Sequence, residues 1–179
     1  MDAIRQLEGL WSWRWPVILG DSHRKHRPLN ESTIHSVMIE ARNCALVMLE
    51  SANYIQRELA NVHLNHELRA ETEQVCTALV GTKHDIISEL FELDELLGAG
   101  ASAPVVRSRV NRIVQWLRDD ITRMHQLVMA LESASKQDPV YGLAYVLVAE
   151  SATNLLNAFN RTRTAADSLR PEAGETQGA

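Results

Sequence analysis

The stretch NESTIHSVMIEARNCALVMLESANYIQRELANV, residues 30–62, decides the fold. Within it Ile34, Met38, Ala41, Ala45, Met48, Ala52, Ile55, Leu59 and Val62 follow one another in alternating steps of four and three. That spacing is the apolar seam one helix presents to another in a bundle or coiled coil. The stretch also carries its own start signal. Pro28 precedes it, Asn30 can cap, Glu31 suits the first-turn dipole, and Leu29 can staple onto Ile34.

Three further runs follow downstream. Leu68, Thr72, Val75, Leu79, Ile86, Leu90, Leu93 and Leu97 form a second, with Gly81 as an internal weak point. A third carries Val106, Val110, Ile113, Leu117, Ile121, Met124, Val128 and Leu131, and a fourth Tyr141, Val148, Ala152, Leu155, Phe159, Thr162, Ala166 and Leu169. Proline, which breaks helices, falls inside none of them. The segment Gly98 to Pro104 stops one helix and starts the next, and Lys136-Gln137-Asp138-Pro139 does the same with Asp138 as cap.

The break at Asn61 to Asn65 holds neither glycine nor proline, though Asn65 can cap a new helix. A continuous rod there would be about 100 Å long at ~1.5 Å per residue, and would need a partner chain along its seam. A turn instead yields four helices of nearly equal length, so the expectation is an all-α, antiparallel up-down-up-down four-helix bundle. Its helices are expected near 31–62, 66–98, 104–135 and 139–169, within a domain spanning 30–169. A Trp-rich N-terminal arm, 1–29, precedes the bundle, and a small, polar tail, 170–179, with a disordered composition follows.

Composition narrows the function classes. With 179 residues the chain can bury a proper core. Aromatics are 5 %, and no stretch alternates at period two for long enough to argue a sheet. A net charge of -5 disfavours nucleic acid as a partner. Cys44 and Cys76 would stand about two turns out of register in an antiparallel hairpin, too far to bridge. Two unpaired thiols suit a reducing cytoplasm. Residues 1–5 lack the basic start of a signal peptide, and no segment approaches the apolar length of a membrane span.

The arm concentrates unusual residues. Ile4, Leu7, Leu10 and Trp11 can line one short amphipathic helix, and Trp11, Trp13 and Trp15 alternate before His23-Arg24-Lys25-His26-Arg27. These rings can fold back and cap an open end of the bundle. Beside arginine they also suit a protein interface, with Trp11, Trp13, Trp15, Arg24, Lys25 and Arg27 as contacts. An anionic membrane surface is a weaker fit.

Motifs for chemistry are few. No Glu-x-x-His occurs, which excludes a ferritin-like di-iron site, and neither a metal nor a cofactor is expected. His66-Glu67-Leu68-Arg69 resembles the phosphoacceptor box of bacterial histidine kinases, and more loosely the box of histidine phosphotransfer domains. The resemblance implies His66 as phosphoacceptor, with Glu67 as base or orienter. The families continue to proline or glycine, whereas Ala70 and Glu71 follow here, and they hold the histidine mid-helix. No nucleotide-binding glycine motif follows, which excludes a kinase.

His84-Asp85 resembles the doublet of His-Asp metal phosphohydrolases, with His66 and Asp119 or Asp120 as further ligands. A continuous helix would hold His66 and His84 roughly 27 Å apart, so that reading needs a sharp break at Gly81. Glu89-x-x-Glu92-x-x-Glu95 resembles the acidic motif of all-helical nucleotide pyrophosphohydrolases, but lacks a second acidic pair and reads as a solvated flank. Arg107, Arg109 and Arg112 should meet this flank as an ion-pair network.

Ala52 and Ala152, each within Glu-Ser-Ala, predict close approach of the first and fourth helices, with Asn53 and Asn154 bonding across the contact. The functional expectation is a non-enzymatic interaction module, a regulator, adaptor or assembly subunit acting on another protein or on itself. A phosphorelay protein using His66 is the alternative.

Overall fold

A computed structural model describes residues 31–169, all-helical with four long helices and no strand among those residues. They are α1 (Glu31–Leu59), α2 (His66–Gly98), α3 (Ala103–Gln137) and α4 (Gly142–Asp167), with a 3-10 turn at Pro139–Tyr141 before α4. The helix α1 packs on α2, α2 on α3, α3 on α4 and α4 back on α1, while diagonal pairs barely touch. Short connections reverse the chain each time, so the arrangement is compatible with a four-helix bundle.

The two-stretch ambiguity resolves as a turn. The helix α1 stops at Leu59, and the Asn65 side chain caps α2 by accepting from Leu68 N at 2.8 Å. Arg69 closes the corner by donating to the Val62 carbonyl at 3.0 Å. At the second corner the amides of Ala101 and Gly100 donate to Leu96 O and Leu97 O, the paired bonds of a Schellman ending. That ending needs a left-handed residue, and Gly100 supplies it with φ +73°. At the third corner Asp138 accepts from Val140 N, and Pro139 starts a tighter 3-10 turn, so α4 begins three residues later than Pro139.

The seam residues meet in one core that includes Ile34, Met48 and Ile55 of α1, Leu79 and Ile86 of α2, Leu117, Met124 and Leu131 of α3, and Leu155 of α4. Cys44 and Cys76 are free and buried. The helix α2 runs unbroken through Gly81. No helix among the described residues is long and apolar enough to cross a membrane.

Candidate interaction surface

Many small residues are buried on α1 and α4, which pack on each other. Ala41, Ala45, Ser51 and Ala52 are buried on α1, and Ala144, Ser151, Ala152 and Ala158 on α4. Short side chains let two helices approach closely and bury each other's surface. Asn53 and Asn154, expected to bond across this contact, are exposed instead. Asn53 lies one helical step of about 100° beyond Ala52 and Asn154 two steps, about 200°, beyond Ala152, which turns both to solvent. Ser51 and Ser151 occupy the interior in their place. At the far end Arg161 Nε reaches Glu40 at 3.3 Å across the rim.

The α2–α3 interface is charged. Arg109 Nη1 meets Glu89 Oε1 at 3.0 Å and Glu92 Oε2 at 2.5 Å, and Arg112 Nη1 meets Glu89 Oε2 at 3.3 Å. Arg107 Nε donates to the Leu169 carbonyl at 3.0 Å, tying α3 to the end of α4. The acidic run is therefore not uniformly a solvated flank. Glu89 is buried, because two arginines compensate its charge and it shares the inner face with Ile86 and Leu93.

Asp120, weighed only as a distant metal ligand, is a core residue at 1 % exposure. Its Oδ1 accepts from Arg123 at 2.5 Å. The Thr82 hydroxyl of α2 approaches the same carboxylate, yet Oδ2 completes no well-formed hydrogen bond. Burial pushes the carboxyl above its usual range, while Thr82 and Arg123 oppose the shift. Burial also drives the Cys44 thiol up to about 12, against a hydrogen bond with Thr162, and the Cys76 thiol up to about 11. Thiols so held are poor nucleophiles at neutral pH.

The motif residues do not converge. His66 is exposed as the first residue of α2, in a capped terminal turn rather than the mid-helix position the phosphoacceptor resemblance implies. His84 and Asp85 are exposed on the unbroken part of α2, so the bend the His-Asp reading needs is absent. Among the described residues no group of three or more His, Cys, Asp or Glu is arranged to hold a metal. Trp11, Trp13, Trp15, Arg24, Lys25 and Arg27, the proposed short helix of the arm, and the tail beyond Leu169 lie outside the described residues.

What stands out on the surface is apolar. Val140, Leu143 and Val146 are 45 %, 59 % and 57 % exposed, and their spacing of three places Leu143 and Val146 on one outer strip at the start of α4. Met129, exposed on neighbouring α3, lies on the flank that also carries Arg107 and hence faces α4. At the opposite end Phe91 is 70 % exposed and Ile39 58 %. Sequence reading missed both patches, since each residue breaks the seam spacing only as an isolated apolar position. Compared with known proteins, the chain matches no family model, no curated protein and no solved structure.

Proposed function

We propose that the chain is a non-enzymatic helical-bundle interaction module, an antiparallel up-down-up-down scaffold that acts through its surface and its Trp-rich arm as a regulator, adaptor or assembly subunit. The observation that carries this reading is the apolar strip of Val140, Leu143 and Val146, exposed outside a bundle whose seam is otherwise buried. Large side chains left in water at one place favour a protein contact over chemistry. Two buried, unpaired thiols support a reducing, cytoplasmic setting.

Leu143→Glu/Val146→Glu in the full chain tests the strip. The module reading expects wild-type helicity with loss of self-association in sedimentation, or loss of a partner captured by the wild-type chain. Trp11→Ala/Trp13→Ala/Trp15→Ala tests the arm by the same readouts. Unchanged association in both variants would refute the reading.

A further inference from the structure

The first thirty residues join the bundle at Glu31, and the surface beside that entry has the chemistry of their complement. Counting from the α1–α2 turn, Glu31 lies 28 residues before Leu59 and Asp94 lies 28 residues after His66, so the two are level in the antiparallel hairpin. Asp94 and Glu95 are exposed, and neither forms an ion pair among the described residues, whereas Glu89 and Glu92 are both taken by arginines.

Phe91, 70 % exposed, stands one turn inward of this acidic pair, on the same helical face. It lies 200° around α2 from Glu89, which faces α3, so it sits on the flank toward α1. By the same geometry Met38 lies 200° around α1 from Glu40, which faces α4 through Arg161. Met38 and Ile87, both half-buried and each 21 residues from the turn, thus floor a shallow groove between α1 and α2. Phe91 forms one rim of that groove, and Leu46, 45 % exposed, lies further along the outer face of α1.

We infer that this α1–α2 groove is the seat of the chain's own N-terminal arm. Arg24, Lys25 and Arg27 meet Asp94 and Glu95 on their way out of α1, and the Trp11-Trp13-Trp15 triplet covers Phe91, Ile87 and Leu46.

Three arguments select this occupant over a second copy or another protein. The first is length. Arg27 is four residues from Glu31 and within ~14 Å of it, while Trp15 has a reach of up to ~55 Å, ample for every position along the groove. The second is charge. Arg24, Lys25 and Arg27 lie within four residues, opposite in charge to Asp94 and Glu95, which with Glu31 form no ion pair among the described residues. The third is pattern. Residues two apart share a side in an extended chain, so alternating tryptophans present one apolar edge, and an arginine at Phe91 gains a cation–π contact. Being covalently attached, the segment acts at a high effective concentration, so modest contacts suffice. The seat is independent of the strip on α4, and a partner that captures the arm would have to compete with it.

The full-length chain carries the test. Ser22→Cys takes a nitroxide label, because Cys44 and Cys76 are buried and inert. NMR then reads which amides the label broadens. Broadening is expected to concentrate on residues 84–95 of α2 and 38–46 of α1. Asp94→Lys/Glu95→Lys should remove most of it, as should Arg24→Glu/Lys25→Glu/Arg27→Glu. Combining the two reversals should restore it.

Uniform broadening, broadening centred on Leu143 and Val146, or indifference to charge reversal would overturn the inference. So would broadening that appears only when labelled chain is mixed with isotope-enriched unlabelled chain, since the arm would then sit on a second copy. Phe91→Ala, at an exposed site that spares the core, should weaken the effect with helicity intact.

Discussion

The two flanking interfaces of this bundle hold helices together by opposite means. On α1 and α4 many buried residues are neutral and small, among them Ala45, Ser51 and Ala52, and Ala152 and Ala158, and the Cys44 thiol bonds to Thr162 of α4. Between α2 and α3 the contact is polar and ionic, with Glu89 clasped by Arg109 and Arg112, and Asp120 set against Thr82. A close-packed neutral interface gains from dispersion and exclusion of water. A buried ionic one recovers in Coulomb attraction part of what desolvation removes, and adds register rather than much net stability. The difference teaches that the two sides should respond to pH in different windows, alkali for the buried thiols and acid for the buried carboxyl.

The largest effect should come from alkali acting on the buried thiols, Cys44 of α1 and Cys76 of α2. Both thiols are raised in the folded state, so their stabilisation is complete below the ordinary value of 9.0 and is lost as pH rises toward about 12 for Cys44 and about 11 for Cys76. Each pH unit above 9 should therefore cost up to about 1.4 kcal/mol per thiol until the folded value is reached. Urea midpoints between pH 8 and 11 should fall steeply for the wild-type chain. They should fall less for Cys44→Ala, whose baseline stability is lower but whose slope is flatter.

Volume should matter next. Ala152→Leu would force extra methylenes into the packed core and is expected to cost about 1–3 kcal/mol in denaturant unfolding. An effect near zero would mean that the core is looser there than the burial of Ala152 implies.

On the charged side the sign is the same, but the window lies in acid. The folded Asp120 carboxyl is raised, so its protonated form is favoured by folding below the ordinary value of 3.8, and that advantage is lost as pH climbs through the raised one. Asp120→Asn should stabilise the chain at pH 7 by roughly 1 kcal/mol, with the gain shrinking in acid. A loss of stability at pH 7 would show that Arg123 and Thr82 more than repay the burial.

The smallest change lies outside both interfaces. Gly81 sits mid-helix with nothing within 4 Å of an added Cβ. Gly81→Ala should raise stability by about 0.5–1 kcal/mol and slow amide exchange through the middle of α2.

Much of this contrast was legible in the chain, but not all of it for the same reason. The burial of Ala52 and Ala152 could be read from their seam positions, because the spacing of four and three places them on the inner face. The charged interface was half readable. Arginines opening α3 beside acids closing α2 announced ion pairs, yet the burial of Glu89 depends on two helices closing over it. Asp120 was in plain sight, since Ile113, Leu117, Asp120, Met124, Leu127 and Leu131 also run in steps of four and three. A reading by hydrophobicity moved the seam to Ile121 and passed over the carboxylate, although both positions are buried. The exposed Phe91, Leu143 and Val146 carried no signal, because an apolar residue off the seam looks like noise until its surroundings are known.

By itself, then, the sequence determined that the chain is helical, where the helices begin and end within a few residues, and which face of each is apolar. Those properties are local: periodicity, caps, and the backbone needs of Asn65, Gly100 and Pro139 act within a turn or two. Tertiary structure alone decided which neighbours share each face. Only that choice left Glu89 and Asp120 inside, and Asn53, Asn154 and Phe91 outside. Burial depends on what covers a residue, and the covering group usually comes from a distant part of the chain.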